Sequence, residues 1–363
     1  LQGSGLEVSL FVQQNLEDYA QCPVYTAPIV AKGMFRRSVG FLRVFVGLLP
    51  YRERVLSFIG MERTTGRSWG QILKNLYTNA HLLKADLDWL HFGFATMALQ
   101  SEYVAKAIGA QMAVSCRGFD MDVYPLKHHG CYDLLWQQVD KLHPISDYMY
   151  QKAVALGYAK DRAFQIITPA VELKENGVSK KVVSETLKLL TVARLHWIKG
   201  LEDILIALAL LKQAGYQFEY KIIGKGELKE SLLYAIHQLG LVDCVELMDA
   251  LPHAKVLEIL QHTDIYIQYS LSEGFCNAVL EAQAAGCLCV VSDGGGLPEN
   301  ILHEETGWVV PKRQPKLLFE TLEGVIKALS TTEAQEVRYQ AIRRLKETFN
   351  LSKQQDEFNK FYQ

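Results

Sequence analysis

The sequence predicts an α/β protein built from two doubly wound parallel-sheet domains, and three observations carry that prediction. The chain is 363 residues long, which at roughly 150 residues per domain is enough for two, each able to bury its own core. Short strand-like apolar runs alternate with stretches in which apolar residues recur every three or four positions, an order that demands right-handed crossovers and parallel strands. Apolar residues make up 49% and charged residues 21%, which excludes a disordered chain, a collagen-like fibre and a coiled-coil rod. Two such domains imply a cleft, with the carboxyl ends of both sheets, the usual ligand edge, facing each other across it.

Taken in order, the first half has strands predicted at Glu7 to Val12, Leu87 to Phe92, Gln111 to Ser115, Lys141 to Ile145 and Phe164 to Thr168. Within it, residues 31–56 mix Phe35, Phe41, Phe45, Val46, Leu48 and Leu49 with Lys32, Arg36, Arg37, Arg43, Arg52 and Arg54. A basic amphipathic helix of this kind can lie in a membrane interface and attract anionic lipid; it can equally be a packing helix with a solvated face. The first domain is placed at 1–168, and the polar, Gly-containing stretch at 169–180 reads as a linker. The second domain, 181–344, has strands predicted at Lys188 to Leu195, Phe218 to Gly224, Val242 to Met248, Asp264 to Ser270 and Cys287 to Asp293, with helices at Leu201 to Lys212 and Leu228 to Leu239. No solenoid period or low-complexity tract interrupts this plan.

Charge and cysteines narrow the function classes. Forty acidic against 38 basic side chains leave a formal charge of −2, so no net field draws in nucleic acid and any basic site must be local. The longest aliphatic run, Ile204 to Leu211, falls far short of the roughly 20 residues that cross a bilayer. The seven cysteines are scattered without metal-ligand spacing, and Cys287 and Cys289 alternate as in a buried strand. They read as reduced thiols, hence a cytoplasmic location. The first residue is Leu, and no signal peptide precedes the first strand-like run, so an N-terminal piece is expected to be missing.

The stretch Ser272 to Gly286, SEGFCNAVLEAQAAG, follows a strand and turns into a helix. Gly274 permits a tight turn, and a helix starting near Cys276 or Asn277 aims unpaired N–H groups at the strand end, an anion site suited to phosphate. Glu273 stands before this site and Glu281 about one turn inside the helix. Side chains lean toward a helix N-terminus, so the two carboxylates can flank the phosphate and accept from vicinal hydroxyls of a ribose or a hexose. Taken singly, each Glu fits a helix-dipole or turn role as well. In ARLHWIKG, Arg194 closes a strand and Lys199 opens the next helix; a guanidinium fork with a flexible ammonium suits a diphosphate.

Arg194-x4-Lys199, the Gly224-x-Gly226 turn and Glu273-x7-Glu281 with the following GCLCVVSDGGGLPENI together resemble the C-terminal domain of retaining family 4 glycosyltransferases of the GT-B fold. The resemblance implies that Arg194 and Lys199 bind the donor diphosphate, that Glu273 and the amides of Gly274, Phe275, Cys276 and Asn277 hold the donor sugar and phosphate, and that Glu281 binds the ribose. It also implies an acceptor-binding first domain and a C-terminal helix, 345–363, crossing back to it. WLHFGF is similar to the HAHFG element of exopolysaccharide and colanic-acid-type members and would bring His91 to the donor sugar and the reacting bond. A lone His beside Trp89 and Phe92 is otherwise a satisfied structural histidine. SCRGFD is similar to their S-F-R-G-x-D segment and would put Arg117 and Asp120 on the acceptor side. The family's first strand and Gly-rich loop have no counterpart. Tyr269 replaces the usual Pro before Ser, and Asp249 stands where a Gly commonly lies near the base.

The implied activity is retaining transfer of a hexose from a nucleotide diphosphate sugar, UDP-linked by expectation, to a glycan or lipid-linked glycan acceptor in bacterial exopolysaccharide synthesis. No cofactor or metal is expected beyond the nucleotide-sugar co-substrate. Peripheral contact with the inner membrane face would run through residues 31–56. Three other readings stand beside it. Asp86-Leu-Asp88 and Asp120-Met-Asp122 spell an Asp-x-Asp triplet that can hold a divalent cation on a diphosphate. Gly224, Gly226 and Glu246 approximate a dinucleotide fingerprint for a nicotinamide oxidoreductase, with Lys229 in place of the third Gly. A sugar-nucleotide epimerase or a non-catalytic nucleotide-sugar binder would share the architecture.

Overall fold

The structure is a computed structural model that describes residues 5–13, 21–29, 34–173 and 186–363, with side chains of the first helix described from residue 39. The chain divides into two compact units. One comprises residues 1–144, 150–166 and 357–363, the other 145–149 and 167–356.

In the first unit, β1 (Leu10–Val12) pairs in parallel with β2 (Val24–Thr26) as a separate two-stranded sheet, while β3 (Trp89–Phe92), β4 (Gln111–Cys116) and β5 (Lys141–Pro144) form a parallel sheet in that order. The predicted strand at Glu7 to Val12 therefore exists but lies outside the main sheet. The run Phe164 to Thr168 makes only a single bridge, Phe164 with Leu142. The expected helix across 31–56 is broken. Its residues 31–33 lie outside the described residues; Met34–Val46 is helical, a 3₁₀ turn follows at Leu49–Tyr51, and Arg52–Thr64 is a second helix. Pro50 is the cause, since it cannot donate to a continuing helix.

The second unit carries six parallel strands: β6 (Leu187–Val192), β7 (Phe218–Ile223), β8 (Val245–Met248), β9 (Ile265–Gln268), β10 (Leu288–Ser292) and β11 (Trp308–Val310), ordered β11-β10-β9-β6-β7-β8. Central strands β9 and β10 are buried at every position, which is why they read as unbroken apolar runs. Their alternate residues feed two cores. Ile265, Ile267, Leu288 and Val290 pack with Ile204, Leu208 and Leu211 of the helix Leu201–Gln213; Tyr266, Cys289 and Val291 pack with Val279 and Ala282 of the helix Asn277–Ala284. The period-two alternation of a strand makes both cores from one sheet. Each fully buried Leu, Ile or Val contributes roughly 1.5–3 kcal/mol.

Some predicted ends move. β8 starts at Val245 because Leu241 to Cys244 form a turn, the Cys244 and Val245 amides both donating to the Leu241 carbonyl. Of the predicted linker 169–180, residues 174–180 lie outside the described residues; Val171 bridges Asn350. The C-terminal helix predicted at 345–363 is two helices, Thr332–Thr348 and Leu351–Phe361, and Asn350 caps the second by accepting from the Lys353 amide at 2.8 Å.

Candidate functional site

Strand order fixes where the site of the second unit lies. From β6 the chain runs outward to β7 and β8, then returns to set β9 on the other side of β6, so winding reverses between β6 and β9. Such a switch point opens a crevice at the carboxyl ends of the strands. The loop leaving β6 carries Arg194 and Lys199, and the loop leaving β9 carries Glu273. The two loops are bound together: the Leu271 amide donates to the Ile198 carbonyl at 2.7 Å. Gly200 sits at φ +60° against the Tyr269 carbonyl, where a Cβ would collide.

Lys199 and Glu273 form a direct ion pair through Glu273 Oε1, each side chain 13% exposed. Ser270 Oγ donates to the same oxygen at 2.8 Å, and Gln268 Nε2 reaches it at 3.3 Å. Among the described residues, no donor reaches Glu273 Oε2. The backbone of Glu273 is fixed from the opposite side by the loop after β10: its amide donates to the Gly294 carbonyl at 3.2 Å, and its carbonyl accepts from the Gly296 amide at 2.7 Å. Gly295 has φ +68°, and a Cβ there would strike the Glu273 carbonyl.

The helix predicted to start near Cys276 or Asn277 runs Asn277–Ala284 with Cys276 as its N-cap. Its anion-binding capacity is smaller than expected, because the Cys276 amide is engaged by Asn300 Oδ1 at 3.1 Å while Asn300 Nδ2 donates back to the Cys276 carbonyl at 3.1 Å. Burial pushes the Cys276 thiol up to about 12, so it stays protonated and inert. Phe275 is buried with its ring 5.5 Å from that of Phe349, a packing role. Asn277 is exposed. Glu281 accepts from, or pairs with, His253 Nε2 at 3.0 Å. Arg194 is exposed; its carbonyl accepts from the His196 amide at 2.8 Å, and its guanidinium has no hydrogen-bond or ion-pair partner among the described residues. Gly224 and Gly226 lie against the carbonyls of Ala193 and Leu195, where any Cβ would collide, and the Leu195 amide donates to the Lys225 carbonyl at 2.9 Å. The two glycines thus let the turn after β7 lie flat on the backbone flanking Arg194.

In the first unit, His91 on β3 is bonded at both ring nitrogens, Nδ1 to the Tyr362 hydroxyl at 2.5 Å and Nε2 to Ser115 Oγ at 2.9 Å. Ser115 Oγ also meets His143 Nδ1 at 2.8 Å. Burial, reinforced by His143 and Arg117, lowers His91 to about 3; it is neutral at ordinary pH. Asp120 is fully buried and accepts from the Thr96 hydroxyl at 2.8 Å and the Ala95 amide at 3.2 Å. These bonds tie it to the turn Ala95–Ala98. Arg117 is half-buried, its Nε donating to the Gly93 carbonyl at 2.9 Å and its guanidinium 5.0 Å from the Phe94 ring centroid.

Of the Asp-x-Asp triplets, Asp86 pairs with Arg54 at 3.2 Å and Asp122 with Lys152 at 3.3 Å. After the Gly224–Gly226 turn, Lys229, the first residue of the helix Lys229–Gln238, pairs with Asp249 at 2.8 Å, so the position that a dinucleotide fingerprint gives to Gly holds an ion pair. Sequence reasoning missed Gln268, Asn300 and His253. A Gln inside the apolar run IYIQYS was a usable signal, since a buried amide needs partners; Asn300 and His253 gave none.

Six parallel strands wound from a switch point and bearing a Lys–Glu pair with a neighbouring Arg define a nucleotide-type α/β domain. Residues 174–344 match the glycosyl transferases group 1 family, and this part of the chain is a group 1 glycosyltransferase domain. The amylovoran biosynthesis glycosyltransferase AmsK of Erwinia amylovora is 30% identical over 259 residues, 69% of this chain and 62% of that protein; the chain thus spans under two thirds of AmsK. The putative colanic acid biosynthesis glycosyltransferase WcaL of Escherichia coli is 27% identical over 83% of this chain and 76% of its own length. Among solved structures, sucrose-phosphate synthase of Thermosynechococcus elongatus aligns with a TM-score of 0.73 at 14% identity, over 99% of this chain and 89% of that one. Anabaena Alr3699/HepE in complex with UDP aligns at 0.65 and 15% identity, over 75% and 78%. The fold is that of the GT-B glycosyltransferases. Among the described residues no helix is long and apolar enough to cross a membrane.

Proposed function

We propose that the protein is a retaining, metal-independent glycosyltransferase that moves a hexose from a UDP-linked sugar to a glycan acceptor, lipid-linked glycans included, in exopolysaccharide synthesis. The observation that carries this reading is the Lys199–Glu273 pair at the switch point of the second unit, with the Arg194 guanidinium, which has no partner among the described residues, earlier on the same loop as Lys199. AmsK and WcaL, named for amylovoran and colanic acid biosynthesis, support the polysaccharide class, and the UDP held by HepE supports the base.

In this reading the bond between the anomeric carbon and the leaving phosphate oxygen loosens toward an oxocarbenium ion. Arg194 and the two ammonium hydrogens of Lys199 not committed to Glu273 stabilise the departing diphosphate by preorganised charge. The acceptor hydroxyl attacks from the same face, forms the new C–O bond and gives its proton to a donor phosphate oxygen. Glu273 Oε2 accepts from a sugar hydroxyl and Glu281 from the ribose. Arg117 is assigned to the acceptor. His91 carries no proton-transfer step, since both its nitrogens are engaged and its pKa lies near 3. Val39, Leu42, Val46 and Leu49, all exposed beside Arg43 and Arg52, supply the proposed contact with an anionic inner leaflet.

A thermal-shift panel of nucleotide sugars tests the reading. A ligand at 100 times its dissociation constant stabilises by about 2.7 kcal/mol, so a UDP-sugar should raise Tm by several degrees and a nicotinamide dinucleotide should not. The opposite ranking would refute it, and loss of turnover in excess EDTA would refute its metal independence.

A further inference from the structure

We propose that Gln268 is a positioning residue that decides which oxygen of Glu273 is left open to the donor sugar; the proposal rests on the donor-site reading of Glu273. Gln268 ends β9 with 1% of its surface exposed, where an amide without partners would be costly. Its Oε1 accepts from the Tyr266 hydroxyl at 2.8 Å. The same hydroxyl lies 3.3 Å from the Val192 carbonyl, so the shorter contact to Gln268 takes its hydrogen and orients the amide, and the two Nε2 hydrogens point the other way, to Ser270 Oγ at 2.8 Å and Glu273 Oε1 at 3.3 Å. Because Ser270 Oγ already accepts from Gln268, its own hydrogen is free to go to Glu273 Oε1, 2.8 Å away.

Donation therefore runs in one direction along a buried chain, from Tyr266 through Gln268 and Ser270 to Glu273. Tyr266 and Ser270 are fully buried, so water does not compete for these bonds. With Lys199, three donors converge on Oε1, and none among the described residues reaches Oε2. A carboxylate held in this way presents one acceptor in one place, which is what selection among sugar hydroxyls requires. Without the Gln268 amide, Ser270 loses the bond that orients its hydroxyl, and Lys199 remains as the one oriented donor to the carboxylate among the described residues, a single contact about which it can turn. Gln268 acts through Glu273 and need not touch the sugar itself.

The test compares wild type with Gln268→Met, which keeps length and removes the amide; should that variant not fold, Gln268→Asn, one methylene shorter, gives the same readings. Crystal structures without ligand should show the Glu273 carboxylate turned away from Ser270 in the variant; an unmoved carboxylate overturns the proposal. Calorimetry with UDP and with UDP-glucose should show UDP affinity within about twofold of wild type and UDP-glucose affinity about tenfold weaker. Equal weakening of both ligands overturns it. Added to Glu273→Gln, the Gln268 substitution should cost nothing further, because the two act as a unit; an additive loss signals a merely structural role and overturns it. Failure of wild type to bind either ligand would refute the donor-site reading, while the carboxylate position in the two crystal structures would still decide the role of Gln268.

Discussion

At the residue scale, the candidate site depends on a few charges whose types were legible and whose supports were not. Glu273, Lys199 and Arg194 stood out because carboxylate, ammonium and guanidinium at loop positions after strands have a chemistry that spacing alone suggests. Gln268 and Asn300 act through bonds to residues brought close only by folding, the second over 24 positions of sequence, and periodicity carries no trace of such a contact. Asp120 and His91 are reactive types at suggestive positions whose internal partners were equally illegible in the sequence. Lys199→Ala and Glu273→Ala are each expected to lower turnover of a UDP-sugar by about 10²–10³-fold, the scale for removing one preorganised charge. Lys199→Ala would also leave Glu273 without its cation, so a comparison with Lys199→Arg separates loss of charge from loss of shape. Glu281→Ala should raise KM with little change in kcat, because ribose binding is the same in ground and transition states. Steady-state kinetics of the four variants checks all of this, and unchanged turnover in Lys199→Ala or Glu273→Ala would sink the assignment.

At the element scale, the fully buried strands of the second unit were the easiest to read, since β9 and β10 cannot hide their apolar runs. Short strands β2 and β11, three residues each, escaped because three residues establish no period. β1 was read as a strand, but sheet membership is set by distant pairing, and it joined β2. Gly295→Ala places a Cβ both in the left-handed region and on the Glu273 carbonyl; it should cost ~1–3 kcal/mol in denaturant unfolding and disturb donor binding together. Gly324→Ala, in a helix with open space around it, is the control and should be neutral or stabilising. For the helix Met34–Val46 and the turn after it, co-sedimentation with vesicles is the measurement. Leu42→Glu together with Arg43→Glu should abolish retention on anionic vesicles, and equal retention on neutral vesicles by wild type would argue against an electrostatic component.

At the scale of the whole molecule, the assignment of residues 145–149 to the second compact unit and 357–363 to the first was not legible in the sequence, because a chain that changes unit leaves no compositional mark. The same scale governs acid stability. Burial lowers His91 to about 3 and His81 to about 4, below the 6.5 or so of an unfolded histidine. Between those values the unfolded chain binds more protons than the folded one, so stability is full above pH 6.5 and declines as pH falls toward 4 and 3, by up to about 1.4 kcal/mol per unit of difference for each histidine. Urea titrations from pH 7.5 to 4 should show this decline, and His91→Gln should flatten it; an identical slope in the variant would show that other groups set it. The clasp between Asn300 and Cys276 has a further consequence for how an anion is captured. With one amide of the helix start withdrawn, fixed dipoles do less of the holding and the solvent-facing guanidinium of Arg194 does more. Mobile ions reach an exposed charge readily, since the Debye length shrinks from about 30 Å at 0.01 M to about 3 Å at 1 M, so added sodium chloride should weaken nucleotide retention steeply in this protein and much less after Arg194→Ala.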